Sequence, residues 1–333
     1  MKKKVAWGIL SSAKIGREKV IPAMQAAAHC DIQAIASRSL ARAQQTAHAL
    51  GIARAYGSYA ELFADPAIEA VYNPLPNEQH VALTLQAARA GKHVLCEKPM
   101  ALQSNDLAAL REVAGKVHIM EAFMVRFHPQ WERVRELMRS GALGPVRSIQ
   151  SYFSYYNRDA TNIRNHNDQG GGALYDIGCY AIVTARYLFE AEPLRVVALV
   201  DRDPEFGTDR VFSALLDFGA GRRLDFTVST QAVPYQRVNV CGERKRIEVR
   251  IPFNAPLGGA TDILIDDGSA LDGRAIQCET IPACNMYGLQ ADVFSRVVRG
   301  ETILPYGVDD AVCNMRVIDA LFASEKAGGW VTV

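Results

Sequence analysis

The stretch Cys96-Glu97-Lys98-Pro99 places a lysine directly after a short apolar run, where a buried strand should end. An ammonium group at such a place can orient a substrate hydroxyl or favour the ionised form of a neighbouring group. The proline after it restricts the backbone, and the Lys98-Pro99 bond is a candidate for the cis form. The motif predicts a lysine with a chemical role at the mouth of a strand.

A second group of residues follows a glycine triplet at positions 170–172, where a helical stretch carries Asp176 and Tyr180. On an α-helix these two residues lie one turn apart on one face. A phenol, whose ordinary pKa is about 10, needs a nearby cation to release its proton near neutral pH, and Lys98 can provide it. A lone tyrosine in an apolar helix is usually a core residue, and acid-base chemistry by these three side chains is the alternative interpretation.

The order of strands and helices predicts how these residues are positioned. Strand and helix signals alternate through the first third of the chain, which is typical of a parallel sheet covered on both faces. Strand-like segments with few helices follow. The predicted class is α/β plus α+β: an N-terminal Rossmann domain with a doubly wound parallel sheet (1–122), then a substrate-binding and oligomerisation domain (123–333) with a large, mostly antiparallel open sheet.

The first strand-to-helix turn of such a sheet binds phosphates, because backbone N–H groups and the helix dipole converge there. Against the motif G-x-G-x-x-G the chain has glycine, leucine and alanine, so the motif is degraded and weak alone. Its place between a strand and a helix favours a dinucleotide over an ordinary turn. The residues predicted to bind the dinucleotide here are Gly8, Leu10, Ser11, Ser12, Ala13, Lys14 and Ile15.

The end of the second strand selects between the two nicotinamide cofactors. An acidic residue there would hold the adenosine 2′-hydroxyl and favour NAD(H). This chain has Ser37 and Arg38 instead, with Arg42 one turn later. A guanidinium with hydroxyl groups suits a 2′-phosphate, so NADP(H) is the preferred cofactor, and NAD(H) is possible. The alternative is that Arg38 is a solvated loop arginine.

Ligands of open α/β sheets bind at the carboxyl edge, where two further loops lie. The residues predicted to contact the cofactor there are Asn73, Pro74, Leu75, Pro76, Asn77, His80, Glu97 and Lys98. Of these, His80 could equally be a capping or structural residue. The predicted substrate ligands are Arg126, Asn162, Arg164, Asp176 and Tyr180.

Composition excludes several classes of partner. With 37 basic and 36 acidic residues, the chain has no global field that would attract nucleic acid or an anionic membrane. No segment approaches the ~20 apolar residues that span a bilayer. The seven cysteines include no C-x-x-C pair, which argues against disulfides and a zinc site. We expect a cytoplasmic protein that binds a small molecule and no metal.

Together these motifs resemble the Gfo/Idh/MocA family of NAD(P)-dependent oxidoreductases. The matching segments are WGILSSAKIG, the Ser-Arg pair after the second strand, NPLPNEQH, GKHVLCEKP, EAFMVRFHPQ and GGGALYDIGCY. They cover most of the chain up to Tyr180, and the E-K-P and G-G-G-x-L-x-D-x-G blocks are highly specific together.

The resemblance implies a role for each matching residue. Lys98 would contact the reacting hydroxyl, and Asp176 would be the acidic residue of the second block. Many members have a histidine four residues after that aspartate, where this chain has Tyr180. That departure is similar to the dihydrodiol dehydrogenase and D-xylose 1-dehydrogenase branch, in which a tyrosine is expected as the acid or base.

The resulting prediction is an NADP-preferring oxidoreductase that transfers a hydride between nicotinamide and a secondary alcohol or carbonyl of a sugar or cyclic polyol or diol. One alternative is a sugar reductase resembling 1,5-anhydro-D-fructose reductase, favoured by the SSAKIG turn but disfavoured by Tyr180. Another is a non-catalytic NADP-binding sensor, which has no need to retain the three candidate catalytic residues. Because one face of the broad sheet needs a cover, we expect a homodimer or homotetramer through that sheet.

Overall fold

The computed structural model describes residues 3–333, which form two compact units. The first unit runs to Met124 and also contains Met286–Val312, and the second contains Val125–Asn285 and Cys313–Val333. The sequence predicted a second domain over all of 123–333. The segment 286–312 departs from that prediction because it belongs to the first unit. Its helix carries an apolar face, including Ala291 and Phe294, that is buried within the first unit.

The first unit contains a parallel sheet of six strands in the order β3-β2-β1-β4-β5-β6. The strands are β1 Val5–Leu10, β2 Cys30–Ala36, β3 Arg54–Tyr56, β4 Ala70–Asn73, β5 His93–Cys96 and β6 Ile119–Glu121. The helices are α1 Ile21–Ala26, α2 Leu40–Leu50, α3 Tyr59–Ala64, α4 His80–Arg89 and α5 Ala108–Val113. Strands β1 and β4 are buried along their whole length, as expected when helices cover both faces. The Rossmann prediction is confirmed.

Local signals set the ends of several helices in this unit. The Ser39 side chain accepts the Arg42 N–H at the start of α2, and Gly51, with φ 66°, ends it. Gln103 caps the 3-10 turn over Ser104–Leu107 that precedes α5, and it is paired reciprocally with Asp106.

The second unit contains a nine-stranded sheet in the order β14-β13-β12-β11-β7-β10-β9-β8-β15. Its strands are β7 Val146–Tyr156, β8 Arg195–Arg202, β9 Asp209–Asp217, β10 Arg223–Ser229, β11 Gln231–Gly242, β12 Arg246–Val249, β13 Thr261–Asp266, β14 Gln277–Ile281 and β15 Val331–Thr332. Every neighbouring pair is antiparallel except β7 with β10. The mostly antiparallel sheet was predicted, but its two edge strands were missed because one is largely exposed and the other very short.

Helices complete the architecture. They are α6 Pro129–Arg139, α7 Cys179–Phe189, α8 Met286–Val298 and α9 Val308–Ala327. Within residues 3–333, no helix combines the length and apolar character needed to cross a membrane.

The two faces of the large sheet differ in character. Along β7, Ile149, Ser151 and Phe153 are buried, whereas Tyr152 between them is 36% exposed. Tyr152 is in register, through β10 and β9, with Leu199 of β8, which is 80% exposed and lies on the same face. One face therefore belongs to the core, and the other presents apolar side chains at the surface.

An ion pair anchors the returning segment in the first unit. Two nitrogens of Arg299 donate to the two carboxylate oxygens of Glu69, each at 2.7 Å, and the Ala6 N–H donates to the same carboxylate at 3.0 Å. These hydrogen bonds, with those from Arg299 largest, lower the pKa of Glu69 from 4.5 to about 2.

Glu69→Gln should lower the free energy of unfolding at pH 7 by about 1–3 kcal/mol, the usual contribution of hydrogen bonds to a charged group. The carboxylate is more acidic in the folded state, so its contribution is present above pH 4.5 and is lost as the pH falls towards 2. Urea unfolding of parent and variant at pH 7 and pH 3 should show a difference that shrinks in acid. The exposed Glu112→Gln is the control, and equal stability of Glu69→Gln and parent at pH 7 would contradict this.

Candidate active site

Lys98 follows the carboxyl end of β5 and is half-buried. The Lys98-Pro99 peptide bond is cis, the form for which the sequence made it a candidate. Before it, the Glu97 N–H donates to the Asn73 carbonyl at 2.9 Å, and the Glu97 carboxylate accepts the Tyr72 hydroxyl at 2.6 Å. The loop that carries Lys98 is therefore fastened to the end of β4, the neighbouring strand.

His80 joins the same two loops. Its ring nitrogens lie 2.8 Å from the Pro99 carbonyl and 2.7 Å from the Leu75 carbonyl, and its side chain is fully buried. Burial lowers the pKa of His80. A neutral ring carries one N–H and donates to one carbonyl at a time. His80, predicted as a cofactor contact, thus has its ring engaged inside the protein.

The Asn73 side chain is also internal. Its amide donates to the His80 carbonyl at 3.3 Å and to the Thr84 hydroxyl at 3.2 Å, and its oxygen accepts the Leu75 N–H at 3.3 Å. Pro74 and Leu75 are buried, and Pro76 and Asn77 are half-buried. In this loop, the predicted contact with the cofactor falls to the half-buried Pro76 and Asn77 and to the backbone.

The predicted phosphate turn begins at Ser11, since Gly8 and Leu10 lie inside β1 and are buried. A Cβ atom at Gly8 would lie 2.7 Å from Leu62, so this glycine serves packing. Ser11 has φ 67°, and its N–H donates to the Ala36 carbonyl at 2.8 Å. Residues 11–13 form the turn itself, and Lys14, which is exposed, and Ile15 are already helical. A π-turn over Gly16–Val20 then leads into α1.

The end of β2 has the donors that a 2′-phosphate needs. Arg38 and Arg42 are exposed, at the start of α2. In the part of the chain that the structure describes, neither guanidinium is paired with a carboxylate. Ser37 is buried, and its N–H donates to the Tyr56 carbonyl at 3.1 Å. Two unpaired cations beside a helix N-terminus fit a phosphate group.

In the second unit, Asp176 lies in a π-turn over Leu174–Gly178, and Tyr180 lies in α7 directly after it. Hydrogen bonds in a π-turn span five residues rather than four. The regular α-helical spacing that the sequence assumed for these two residues therefore does not hold. Turns of this kind occur frequently at functional sites.

Asp176 is held by two donors on one carboxylate oxygen. The Tyr155 hydroxyl lies 2.6 Å from this Oδ2 atom and the Arg164 Nε lies 2.8 Å from it. Asp176 raises the pKa of Arg164, and burial, followed by Asp176, raises the pKa of Tyr155. Tyr155 therefore remains a neutral donor and Arg164 a cation, and both donate to Asp176.

Tyr180 is only 7% exposed. The centroid of its ring lies 5.5 Å from that of Phe253 and 6.3 Å from that of Phe153. Of the other predicted substrate ligands, Asn162 uses its side-chain oxygen to accept the Arg164 N–H at 3.1 Å, and Arg126 is buried in a turn. Within residues 3–333, no group of three or more His, Cys, Asp or Glu side chains is arranged to hold a metal ion.

The glycine triplet allows a loop and a carboxylate to approach closely. A Cβ atom at Gly171 would lie 2.5 Å from the Arg164 carbonyl, and one at Gly172 would lie 1.9 Å from Oδ1 of Asp209. Asp209 is itself almost fully buried. Neither Asp209 nor Tyr155 was predicted from the sequence. For Tyr155 a signal was available, because it lies two residues after Phe153 in the alternating pattern of β7.

Both units match models of one family of oxidoreductases. The NAD-binding Rossmann fold of an oxidoreductase family, GFO/IDH/MocA, matches residues 5–126, and the GFO/IDH/MocA C-terminal domain matches residues 131–248. The chain belongs to the Gfo/Idh/MocA family. This membership confirms the resemblance seen in the E-K-P and glycine-rich motifs.

Several known enzymes are similar to this chain over long stretches. The D-xylose 1-dehydrogenase (NADP(+)) 2 of Haloferax volcanii is 40% identical over 331 residues, 98% of each chain. The trans-1,2-dihydrobenzene-1,2-diol dehydrogenase of Mus musculus is 35% identical over 67% of this chain and 68% of its own. KijD10, a 3-ketoreductase from Actinomadura kijaniata solved with NADP and TDP-benzene, has a TM-score of 0.90 at 26% identity, with 97% and 98% coverage.

Gly172→Ala should destabilise the protein far more than Gly207→Ala. Both glycines have positive φ, 110° and 69°, but only Gly172 has atoms where a Cβ would lie. The backbone term costs each variant roughly 1–2 kcal/mol, and overlap with Asp209 adds to it only at Gly172. Thermal unfolding of the two variants measures the difference, and equal losses would contradict the proposed contact.

Proposed function

We propose that this protein is an NADP-preferring oxidoreductase that interconverts a secondary alcohol and a carbonyl on a sugar or cyclic diol. The observation that carries the proposal is the position of Lys98, at the carboxyl edge of a sheet whose strand order reverses between β1 and β4. Open α/β sheets bind their ligands at this edge. Family membership and similarity to the Haloferax and mouse enzymes support the reaction and substrate classes.

The side chains of this protein divide the work of such a reaction. Bound NADP(H) would supply or accept the hydride. The Tyr180 hydroxyl would exchange the proton of the substrate oxygen, and the Lys98 ammonium would favour the ionised phenol and orient that oxygen. Asp176, which is paired with Arg164, would accept a hydrogen bond from a second substrate hydroxyl. Arg164, Asn162 and Arg126 remain proposed substrate ligands.

We also propose assembly into a homodimer or homotetramer through the exposed face of the large sheet. Leu199 and Tyr152 on this face are joined by Val233 and Tyr235 of β11, which are 77% and 48% exposed. Apolar side chains grouped on one sheet face favour burial against a partner.

Lys98→Ala should reduce kcat by about 10²–10⁴-fold, the usual contribution of a general acid-base group, and Tyr180→Phe should fall in the same range. NADPH affinity should stay within about threefold of the parent for both variants, since the phosphate turn is intact. Turnover against aldoses, inositols and dihydrodiols, with NADPH fluorescence titration, gives both quantities. Lys116→Ala, at an exposed position, is the control.

Full activity of Lys98→Ala with every substrate that the parent uses would contradict the assigned chemistry. A parent that binds NADPH but turns over no substrate in the panel would favour the sensor alternative.

Arg38→Ala and Arg42→Ala should each weaken NADPH binding by about 10- to 100-fold, because each removes a charge-assisted contact to the 2′-phosphate. NADH lacks that phosphate, so its affinity should be nearly unchanged. Titration of both cofactors measures the ratio, again with Lys116→Ala as the control. Equal losses for NADPH and NADH would argue against NADP selection at this site.

A further inference from the structure

Asp209 is a buried carboxylate placed against the segment that carries the candidate acid and base. It begins β9, is 1% exposed, and its Oδ2 atom accepts the Leu174 N–H at 2.7 Å from 35 residues away. Leu174 opens the π-turn that contains Asp176 and leads to Tyr180. The other carboxylate oxygen lies where Gly172 has no side chain. The first turn of this segment is therefore held by a hydrogen bond to Asp209, whose other carboxylate oxygen fills the space beside Gly172.

A second connection runs through Tyr155. Its hydroxyl donates to Asp176 at 2.6 Å, and the charge of Asp209 is among the causes that raise the pKa of Tyr155. Tyr155 thus holds Asp176 and lies within electrostatic reach of Asp209.

We propose that Asp209 is a positioning residue of this enzyme: as a carboxylate it fixes the first turn of the segment that carries Asp176 and Tyr180. The inference rests on the proposed function, which gives Asp176 and Tyr180 their roles. Asp209 itself is assigned no contact with substrate. A charged acceptor holds a backbone N–H more strongly than a neutral one. The ionised form is therefore the form that holds the turn.

The charge of Asp209 changes near neutral pH. Burial raises the pKa of its carboxyl from 3.8 to about 7, against the opposing effects of the Leu174 hydrogen bond and Arg202. The charged and titratable groups around it are Arg202 of β8, Glu325 of α9 and Tyr155 of β7. The Arg202 guanidinium is bonded to the Glu325 carboxylate, with two contacts of 2.7 Å.

Asp209→Asn tests the proposal, with Asp203→Asn as a matched control. Asp203 is equally buried, and its carboxylate accepts the N–H groups of Glu205 and Phe206, away from residues 174–180. In the parent, kcat should fall as the pH drops below about 7. In Asp209→Asn this limb should disappear, with kcat at pH 8 roughly tenfold below the parent and NADPH affinity unchanged. Asp203→Asn should keep the profile of the parent.

Two measurements do not depend on turnover. Amide hydrogen exchange over residues 173–180 should be faster in Asp209→Asn and unchanged in Asp203→Asn. The parent should also gain stability as the pH falls from 8 towards 4, because the folded carboxyl binds its proton more tightly than the unfolded one. Asp209→Asn should lose this gain.

The proposal is overturned if Asp209→Asn keeps the kcat and pH limb of the parent, or loses stability with unchanged exchange over 173–180. If that variant does not fold, a parent whose kcat is constant between pH 6 and 8 overturns it. Failure of the proposed function looks different: the parent would be inactive with every substrate tested, and Lys98→Ala would not differ from it.

Discussion

The hydrogen bonds between the loops after β4 and β5 determine where Lys98 can stand. Glu97 is bonded to Tyr72 by its side chain and to Asn73 by its backbone, and His80 lies between the carbonyls of Leu75 and Pro99. Parallel strands end at the same edge of a sheet, which places their loops side by side. Because of these buried contacts, two strands fix the position of Lys98, and it does not depend on one flexible loop.

In the second unit, the carboxyl groups of Asp176 and Asp209 lie near the start of α7. Asp176 is exposed enough to meet a ligand, and it has a cation and a phenol on one oxygen. Asp209 is buried deeper and has a backbone N–H as its donor. Because burial penalises ionisation, the pKa of the Asp209 carboxyl is raised. Asp176, the more exposed carboxylate, can bind a substrate, and the buried Asp209 can hold the turn in place.

Elements with local signals were predicted closely. Helix α2 can be bounded from the sequence because Ser39 and Gly51 mark its two ends within the segment itself. Strands β4 and β5 are short apolar runs between turns, a pattern with few alternatives. The departures lie where distant parts of the chain decide: the π-turns at Gly16–Val20 and Leu174–Gly178, the edge strand β14, and the segment 286–312.

The sequence by itself determined the class of both sheets, the family, and the identity of Lys98, Asp176 and Tyr180 as candidates, because residue type, spacing and periodicity are local properties. Only the tertiary structure showed that the ring of His80 and the amide of Asn73 are turned inward. Only it paired Asp176 with Tyr155 and brought Asp209 to Leu174. Hydrogen bonds between residues far apart in the chain depend on how strands and helices pack, and no local pattern records that packing.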